Sequence, residues 1–250
     1  MLRSVLEIYD YILDATDGQI GRCHDFLFDD QHWAIRYMEA DTGKWLAGRR
    51  VLISPVSLGK PDWQTRLFQV QLTKSQIEAA PGIDLDAPVS RQHEILWAKH
   101  YGWSYYWVGH GVWGTTDHIT PPGNPDDTSV EPEEARGSED SYLRSTREVT
   151  GYRIQAKDDK IGHVEDFILD DELWTLRYLI IDTRNWLPGG RKVLVSPGWV
   201  DRISWADRLV GINLSTKAIE NGPEYDPASP VNREYEERLY DYYGRPYYWK

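Results

Sequence analysis

Cysteine is almost missing from this chain: Cys23 is the only one among 250 residues. A single cysteine cannot form a disulfide within one chain, which excludes the disulfide-stapled folds of small secreted domains. We expect Cys23 to be a small buried apolar residue in a reducing compartment. No apolar run reaches the roughly 18–20 residues that cross a bilayer, and the N-terminus lacks the apolar core of a signal peptide. The sequence therefore predicts a soluble, cytoplasmic protein without direct membrane insertion.

Positive charge is also scarce. The chain has 28 Lys and Arg residues against 40 Asp and Glu residues, which gives a net charge of −12. Because Lys and Arg supply most of the affinity for nucleic-acid phosphates, this balance argues against DNA or RNA as a partner. The same excess of acid disfavours binding to anionic membrane surfaces.

Motifs of catalysis and cofactor binding are missing as well. The chain has no C-x-x-C or H-E-x-x-H metal motif, no G-x-S-x-G nucleophile elbow and no Gly-rich phosphate loop. Such motifs hold metal ligands, a nucleophile or backbone N–H groups at fixed spacing, and the histidines follow no comparable pattern. We therefore predict a protein that is not an enzyme, with no catalytic residue, no cofactor and no metal ion.

What the chain does contain is a long internal repeat. Residues 17–49 and 158–190 are identical at 15 of 33 aligned positions, where unrelated sequences would match at roughly 2. After one inserted residue the similarity resumes and reaches the C-terminal motifs, G-W-S-Y-Y-W at 102–107 and G-R-P-Y-Y-W at 244–249. A repeat of this length indicates two whole domains rather than a solenoid. We predict one domain over 1–107, an acidic Gly/Pro-rich linker over 108–140, and a second domain over 141–250.

Within each copy the pattern predicts short strands. Apolar-rich segments at 19–29 and 33–40 form a hairpin around an acidic turn, and residues 67–72 alternate as a half-buried strand does. A short helix with a capping box at Thr73 and Gln76 follows. A longer helix is predicted to start at Ser90, or at Asn232 in the second copy. The sequence thus predicts a mainly β protein of two small closed barrels, each with a helical, aromatic-rich C-terminal extension.

These motifs resemble a known family. The succession D-G-x-x-I-G-x-x-x-D-F-x-x-D, W-x-x-R-Y and V-L-I-S-P, over 2–80 and again over 143–221, is similar to the PRC-barrel domain. That barrel is shared by the cytoplasmic part of the photosynthetic reaction-centre H subunit and by a ribosome-maturation factor. The aromatic tails are similar to those of the stand-alone bacterial proteins with tandem barrels. The resemblance implies two PRC-type β-barrels and a module that docks onto larger assemblies.

Two repeated groups of side chains are the candidate functional residues. The acidic group consists of Asp25, Asp29 and Asp30 and their copies Asp166, Asp170 and Asp171. Carboxylates around a hairpin could bind a hard cation, and the resemblance to the H subunit implies that they could instead carry protons. Alternatively, the aspartates shape turns, and Asp25 and Asp166 pair with Arg36 and Arg177. We favour this structural interpretation.

The second group is aromatic. The chain has 12 Trp and 16 Tyr residues, among them the repeated pairs Trp33 with Trp174 and Trp45 with Trp186. Aromatic rings provide large contact areas with a polar handle, which suits protein interfaces. Alternatively, each aromatic tail folds back over its own barrel, which we favour, although a surface built by the tails could also receive a partner.

Taken with the resemblance, these features predict a non-enzymatic interaction or scaffold module that binds a protein partner. The two copies could pack as an intramolecular pseudo-dimer, or the chain could form a homodimer. Two other functions remain open. The likeness to the H subunit would place the chain in photosynthetic light reactions, and the acidic hairpins would suit a cation-binding or stress-associated protein.

Overall fold

The computed structural model describes residues 1–46, 49–82, 89–120, 143–184 and 190–250. The chain is mainly β, as the sequence predicted, and it divides into two compact units. The N-terminal unit is Ile8–Ser145, and the C-terminal unit combines Met1–Glu7 with Thr146–Lys250. Among the described residues, the longest helices are too short to span a membrane.

The sheet of the N-terminal unit has the strand order β5-β4-β3-β2-β6, and β7 also pairs with β3. Neighbouring strands are antiparallel except β2 and β6, which are parallel. The strands are β2 (Ile12–Ala15), β3 (Gly18–Asp29), β4 (Ile35–Asp41), β5 (Arg50–Ile53), β6 (Leu67–Val70) and β7 (Leu143–Ser145).

The sheet of the C-terminal unit repeats this plan. Its order is β11-β10-β9-β8-β13-β12, and β1 also pairs with β9. The strands are β1 (Leu2–Ser4), β8 (Arg153–Gln155), β9 (Lys160–Asp170), β10 (Thr175–Asp182), β11 (Lys192–Val195), β12 (Val200–Ser204) and β13 (Leu209–Ile212). The two sheets therefore share the order of five strands, and the C-terminal sheet adds β12 at its edge. The sequence predicted closed barrels, but within the described ranges neither sheet closes, because no hydrogen-bonded ladder joins its two edge strands.

The first strand of each repeat lies in the unit built by the other repeat. Strand β1 pairs with β9, in the register Leu2 opposite Asp170 and Ser4 opposite Ile168. Strand β7 pairs with β3 in the equivalent register, Leu143 opposite Asp29. The compact units therefore do not coincide with the sequence repeats at their N-termini.

A repeated glycine explains the I-G motif of the long strands. Gly21 and Gly162 have φ values of 142° and 81°, a region that favours glycine. A Cβ atom at Gly21 would lie 2.0 Å from the carbonyl oxygen of Asp41, and one at Gly162 would lie 2.2 Å from that of Asp182. Only glycine lets the neighbouring strand come this close.

The helices follow the predicted start and stop signals. They are α1 (Val5–Ile8), α2 (Lys74–Glu78), α3 (Arg91–Tyr101), α4 (Thr146–Val149), α5 (Thr216–Glu220) and α6 (Arg233–Tyr243). The capping box of Thr73 and Gln76 is confirmed. Ser90 and Asn232 cap α3 and α6, and both helices end at a left-handed glycine.

The described part of the predicted linker, residues 108–120, is partly folded instead of extended. Within 108–120, Trp113 and Gly114 are buried, and Gly111 forms a β-bridge with Gly114. This part of the predicted linker therefore forms a folded turn within the N-terminal unit, with Trp113 buried. The rest of the predicted linker, 121–140, lies outside the described residues.

Candidate functional site

Each unit contains the same group of paired charges and aromatic rings, which we name the arginine–aromatic cluster. The N-terminal cluster consists of Asp29, Arg36, Tyr37, Arg91, Glu94, Tyr106 and Trp107. The C-terminal cluster consists of Asp170, Arg177, Tyr178, Arg233, Glu236, Tyr248 and Trp249. Every member of one cluster has its counterpart in the other at the repeat spacing of the sequence.

The turn between β3 and β4 fixes the first part of the N-terminal cluster. Asp29 Oδ1 accepts hydrogen bonds from the backbone N–H groups of Gln31 and His32 at 3.1 and 2.6 Å, which is the turn chemistry predicted for it. Trp33 follows in the left-handed conformation, with φ 56°. The other carboxylate oxygen of Asp29, Oδ2, accepts a hydrogen bond from Arg36 Nε at 2.6 Å.

The arginine side chain is positioned by a β-bulge. In the β3–β4 ladder Leu27 pairs with Tyr37 and Phe28 pairs with Ile35, so Arg36 is the extra residue. The β9–β10 ladder shifts in the same way between Leu176 and Tyr178. A bulge leaves its extra residue unpaired and can redirect its side chain. Both arginines therefore turn toward the acid that ends the preceding strand instead of continuing the alternation of the strand.

The second part of the cluster comes from the first turn of α3. Glu94 is fully buried and accepts hydrogen bonds from the hydroxyls of Tyr37 at 3.1 Å and Tyr106 at 2.7 Å. Arg91, one turn earlier, places Nη1 3.0 Å from Glu94 Oε1. Burial raises the pKa of Glu94, and Arg91 opposes that shift. Burial and the neighbouring Glu94 raise the pKa of Tyr37 well above its ordinary value.

The C-terminal cluster reproduces these contacts on β10 and α6. Tyr178 and Tyr248 donate to Glu236 Oε1 at 2.7 and 2.8 Å. Arg233 Nη1 lies 3.1 Å from Glu236 Oε2. Burial is the main cause that raises the pKa values of both tyrosines, so both hydroxyls remain donors at neutral pH.

Aromatic rings cover the arginines. The guanidinium carbon of Arg36 lies 4.0 Å from the ring centre of Tyr106 and 4.8 Å from that of Trp113. The corresponding carbon of Arg177 lies 4.5 Å from Tyr248. These distances are within the range of cation–π attraction. Arg91 and Arg233 lie over the indoles of Trp107 and Trp249 in the same way, at 4.1 and 4.0 Å.

The two clusters differ in their cover. In the N-terminal unit residues 109–116, which we name the Trp113 turn, lie over Arg36, whose side chain is 1% exposed. Among the described residues of the C-terminal unit, none takes the place of Trp113. The side chain of Arg177 is accordingly 19% exposed and that of Arg233 is 51% exposed, against 10% for Arg91. We therefore call the N-terminal cluster closed and the C-terminal cluster, as the described residues leave it, open.

A cavity of about 320 Å³ lies beside the N-terminal cluster, lined by Arg36, Arg91, His32 and His110 among others. Its two arginines are matched by Asp29 and Glu94, so the charges at its wall are balanced. This arrangement gives the cavity no excess of fixed positive charge with which to attract an anion.

The predicted pairing of Asp25 and Asp166 with the arginines is wrong, because the structure gives Arg36 and Arg177 to Asp29 and Asp170. Asp166 instead accepts hydrogen bonds from Ser4 Oγ at 2.5 Å and from the backbone N–H of Leu6 at 3.1 Å. Asp25 accepts one from Ser145 Oγ. Both acids therefore hold the exchanged strands.

The other two acids, Asp30 and Asp171, also bind residues in or next to the exchanged strands. Asp30 accepts a hydrogen bond from Arg144 Nε at 3.1 Å, and Asp171 pairs with the amino group of Met1. Within the described ranges, no three His, Cys, Asp or Glu residues are grouped as metal ligands. The repeated aspartates are thus accounted for by turns, arginine pairs and strand exchange.

The predicted tryptophans have separate locations. Trp33 and Trp174 are buried and adopt φ values of 56° and 53° in equivalent turns, so they are structural. Trp45 is partly exposed, and its ring lies 5.7 Å from Lys74 Nζ. Trp186 lies outside the described residues.

Sequence reasoning missed the helix side of the clusters. The signal was present, because Arg91-x-x-Glu94 recurs as Arg233-x-x-Glu236 at the repeat spacing. Charged residues at the start of a helix are common on solvated surfaces, so the pattern alone does not reveal that Glu94 and Glu236 are buried.

No protein-family model matches the chain, and no curated protein matches it significantly.

Proposed function

We propose that the chain is a non-enzymatic interaction module of PRC-barrel type whose C-terminal cluster binds a protein partner. One observation carries the proposal: the same cluster is covered by the Trp113 turn in the N-terminal unit and is exposed in the C-terminal unit. The repeated sequence motifs over 2–80 and 143–221 support the PRC-type assignment of both units.

The chemistry of the open cluster suits a binding surface. Arginine, tryptophan and tyrosine are the residues most enriched in binding hot spots. Arg177 is held by Asp170, and Glu236 holds two tyrosines and Arg233. A surface fixed in this way loses little side-chain freedom when a partner binds.

Affinity capture from the native host tests the proposal. The bait proteins are the wild-type chain, the variant Arg233→Ala with Trp249→Ala, and the control Arg202→Ala with Tyr242→Ala. The control removes one exposed arginine and one exposed tyrosine outside the cluster. Thermal melts first establish that all three are folded.

We expect the wild type and the control to capture the same proteins, and we expect the cluster variant not to capture them. The same difference in binding should appear when a captured protein is purified and mixed with each purified bait. Equal capture by a folded cluster variant would contradict the proposal.

A further inference from the structure

We infer that the C-terminal cluster accepts a tryptophan carried on a glycine-rich turn of a partner protein, as the N-terminal cluster holds Trp113. The inference rests on the proposed function and names the chemistry of the partner.

The occupant of the N-terminal cluster is an indole. Trp113 is 7% exposed, and its ring lies 4.8 Å from the guanidinium carbon of Arg36, which also stacks on Tyr106. The guanidinium of Arg36 thus lies within cation–π distance of two electron-rich rings. A buried guanidinium favours such neighbours because water no longer competes for its charge.

The Trp113 turn holds its shape by its own hydrogen bonds. Gly111 N–H donates to the carbonyl of Gly114 and Trp113 N–H donates to the carbonyl of Thr116, both at 2.7 Å. A Cβ atom at Gly109 would lie 2.5 Å from the Gly114 oxygen, and one at Gly111 would lie 2.3 Å from the Thr116 oxygen. The turn therefore requires glycine at these positions, and the recognised unit is a tryptophan within a G-x-G-x-W-G turn.

The surface that receives this unit is present twice. In the C-terminal cluster, Tyr248 lies over Arg177 at 4.5 Å, close to the 4.0 Å of the N-terminal pair. Among the described residues, Tyr248 is the one ring over Arg177, and Tyr248 itself is 39% exposed. No described residue therefore occupies on Arg177 the place that Trp113 fills on Arg36, and the equivalent carboxylate and tyrosines surround it.

The occupant of the open cluster is a partner rather than a second copy of this chain. The Trp113 turn is covalently attached to the N-terminal unit and already bound there. Intramolecular attachment gives a segment a high effective concentration at its own site. A turn on another copy would have to leave that site before it could bind in trans.

A synthetic peptide of residues 108–118 tests the inference on the full-length chain by isothermal titration calorimetry. We expect one peptide to bind per wild-type chain and the Trp113→Ala peptide to bind at least tenfold more weakly. In the full-length Trp113→Ala chain both clusters are open, so we expect two peptides to bind. The chain with Arg233→Ala and Trp249→Ala should lose the site, and the Arg202→Ala and Tyr242→Ala control should keep it.

Equal binding of the two peptides, or no effect of Arg233→Ala with Trp249→Ala, would overturn the inference even if the Trp113→Ala chain fails to fold. Concentration-dependent dimers of the wild type that Trp113→Ala abolishes would assign the site to a second copy and also overturn it. The proposed function is tested separately: host proteins lost from the cluster variant uphold it even if the peptide does not bind.

Discussion

Because the first strands are exchanged, a substitution in one repeat should destabilise the unit built by the other repeat. Ser4→Ala should therefore destabilise the C-terminal unit and leave the stability of the N-terminal unit unchanged. Ser4 belongs to the first repeat, but its hydroxyl donates to the buried carboxylate of Asp166 at 2.5 Å. The same carboxylate accepts the backbone N–H of Leu6 at 3.1 Å. Removing Ser4 Oγ leaves the buried carboxylate of Asp166 with one fewer donor.

The expected loss follows from the strength of such bonds. A hydrogen bond to a charged group contributes about 1.5–3 kcal/mol, and about 1.4 kcal/mol corresponds to a tenfold change in an equilibrium constant. The experiment belongs at pH 8, because burial raises the pKa of Asp166 to about 7 and the carboxylate is charged above that value. Amide protection should then fall on the order of 10- to 100-fold where the C-terminal unit opens cooperatively.

Hydrogen–deuterium exchange read by mass spectrometry measures this change peptide by peptide. We expect faster exchange in β9 and β10 and unchanged exchange in β3 and β4. Ser145→Ala is the matched control, because its hydroxyl donates to Asp25 in the N-terminal unit, and it should give the opposite pattern. If Ser4→Ala instead accelerates exchange in β3 and β4, the strand belongs to its own repeat and the exchange is refuted.

Three further predictions follow from the same contacts. Burial raises the pKa of Asp166 to about 7 in the folded chain, whereas the ordinary value in the unfolded chain is 3.8. The free energy of unfolding should therefore fall as pH rises from about 4 to 7. Asp166→Asn should reduce this pH dependence in urea unfolding, and an unchanged pH dependence would contradict the prediction. Fragments 1–140 and 141–250, co-expressed, should purify as one complex because each unit contains strands from both, whereas separate elution would argue against exchange. Truncation after Gly244 removes Trp249, whose ring lies 5.2 Å from that of Tyr240; a loss of about 2 kcal/mol should lower the melting temperature by roughly 8–16 °C, and an unchanged melt would show that the tail is not part of the folding unit.

The sheets could be predicted from the sequence because their signals are local. The long strand Gly18–Asp29 and its copy follow from apolar content and flanking turns, and the capping box of Thr73 gave the start of α2. Strand exchange could not be predicted, because Leu-Arg-Ser stands at both 2–4 and 143–145. Identical strands fit either sheet equally well, so no local pattern decides which sheet each one joins.

The clusters were predicted in part. The acids and Arg36 were identified from the repeat. The bulge in the β3–β4 ladder could not be predicted, because the alternation of residues along a strand does not show where an extra residue is inserted. That bulge directs the side chain of Arg36 to Asp29. Composition assigned Trp113 to a linker, because Gly, Pro and acidic residues surround it. Its burial depends on the face of Arg36, which only the folded unit creates.

Site-specific photo-crosslinking tests most directly whether the C-terminal cluster is the contact surface. A photoreactive phenylalanine at position 248 lies in the cluster, and one at position 242 replaces a tyrosine that is similarly exposed, 44% against 39%, outside the cluster. The proposal predicts that irradiation in the native host crosslinks a defined protein at 248 and not at 242, and that Arg233→Ala suppresses the crosslink. Equal crosslinking at both positions, or none at 248 while the partner is still captured, would contradict the proposal.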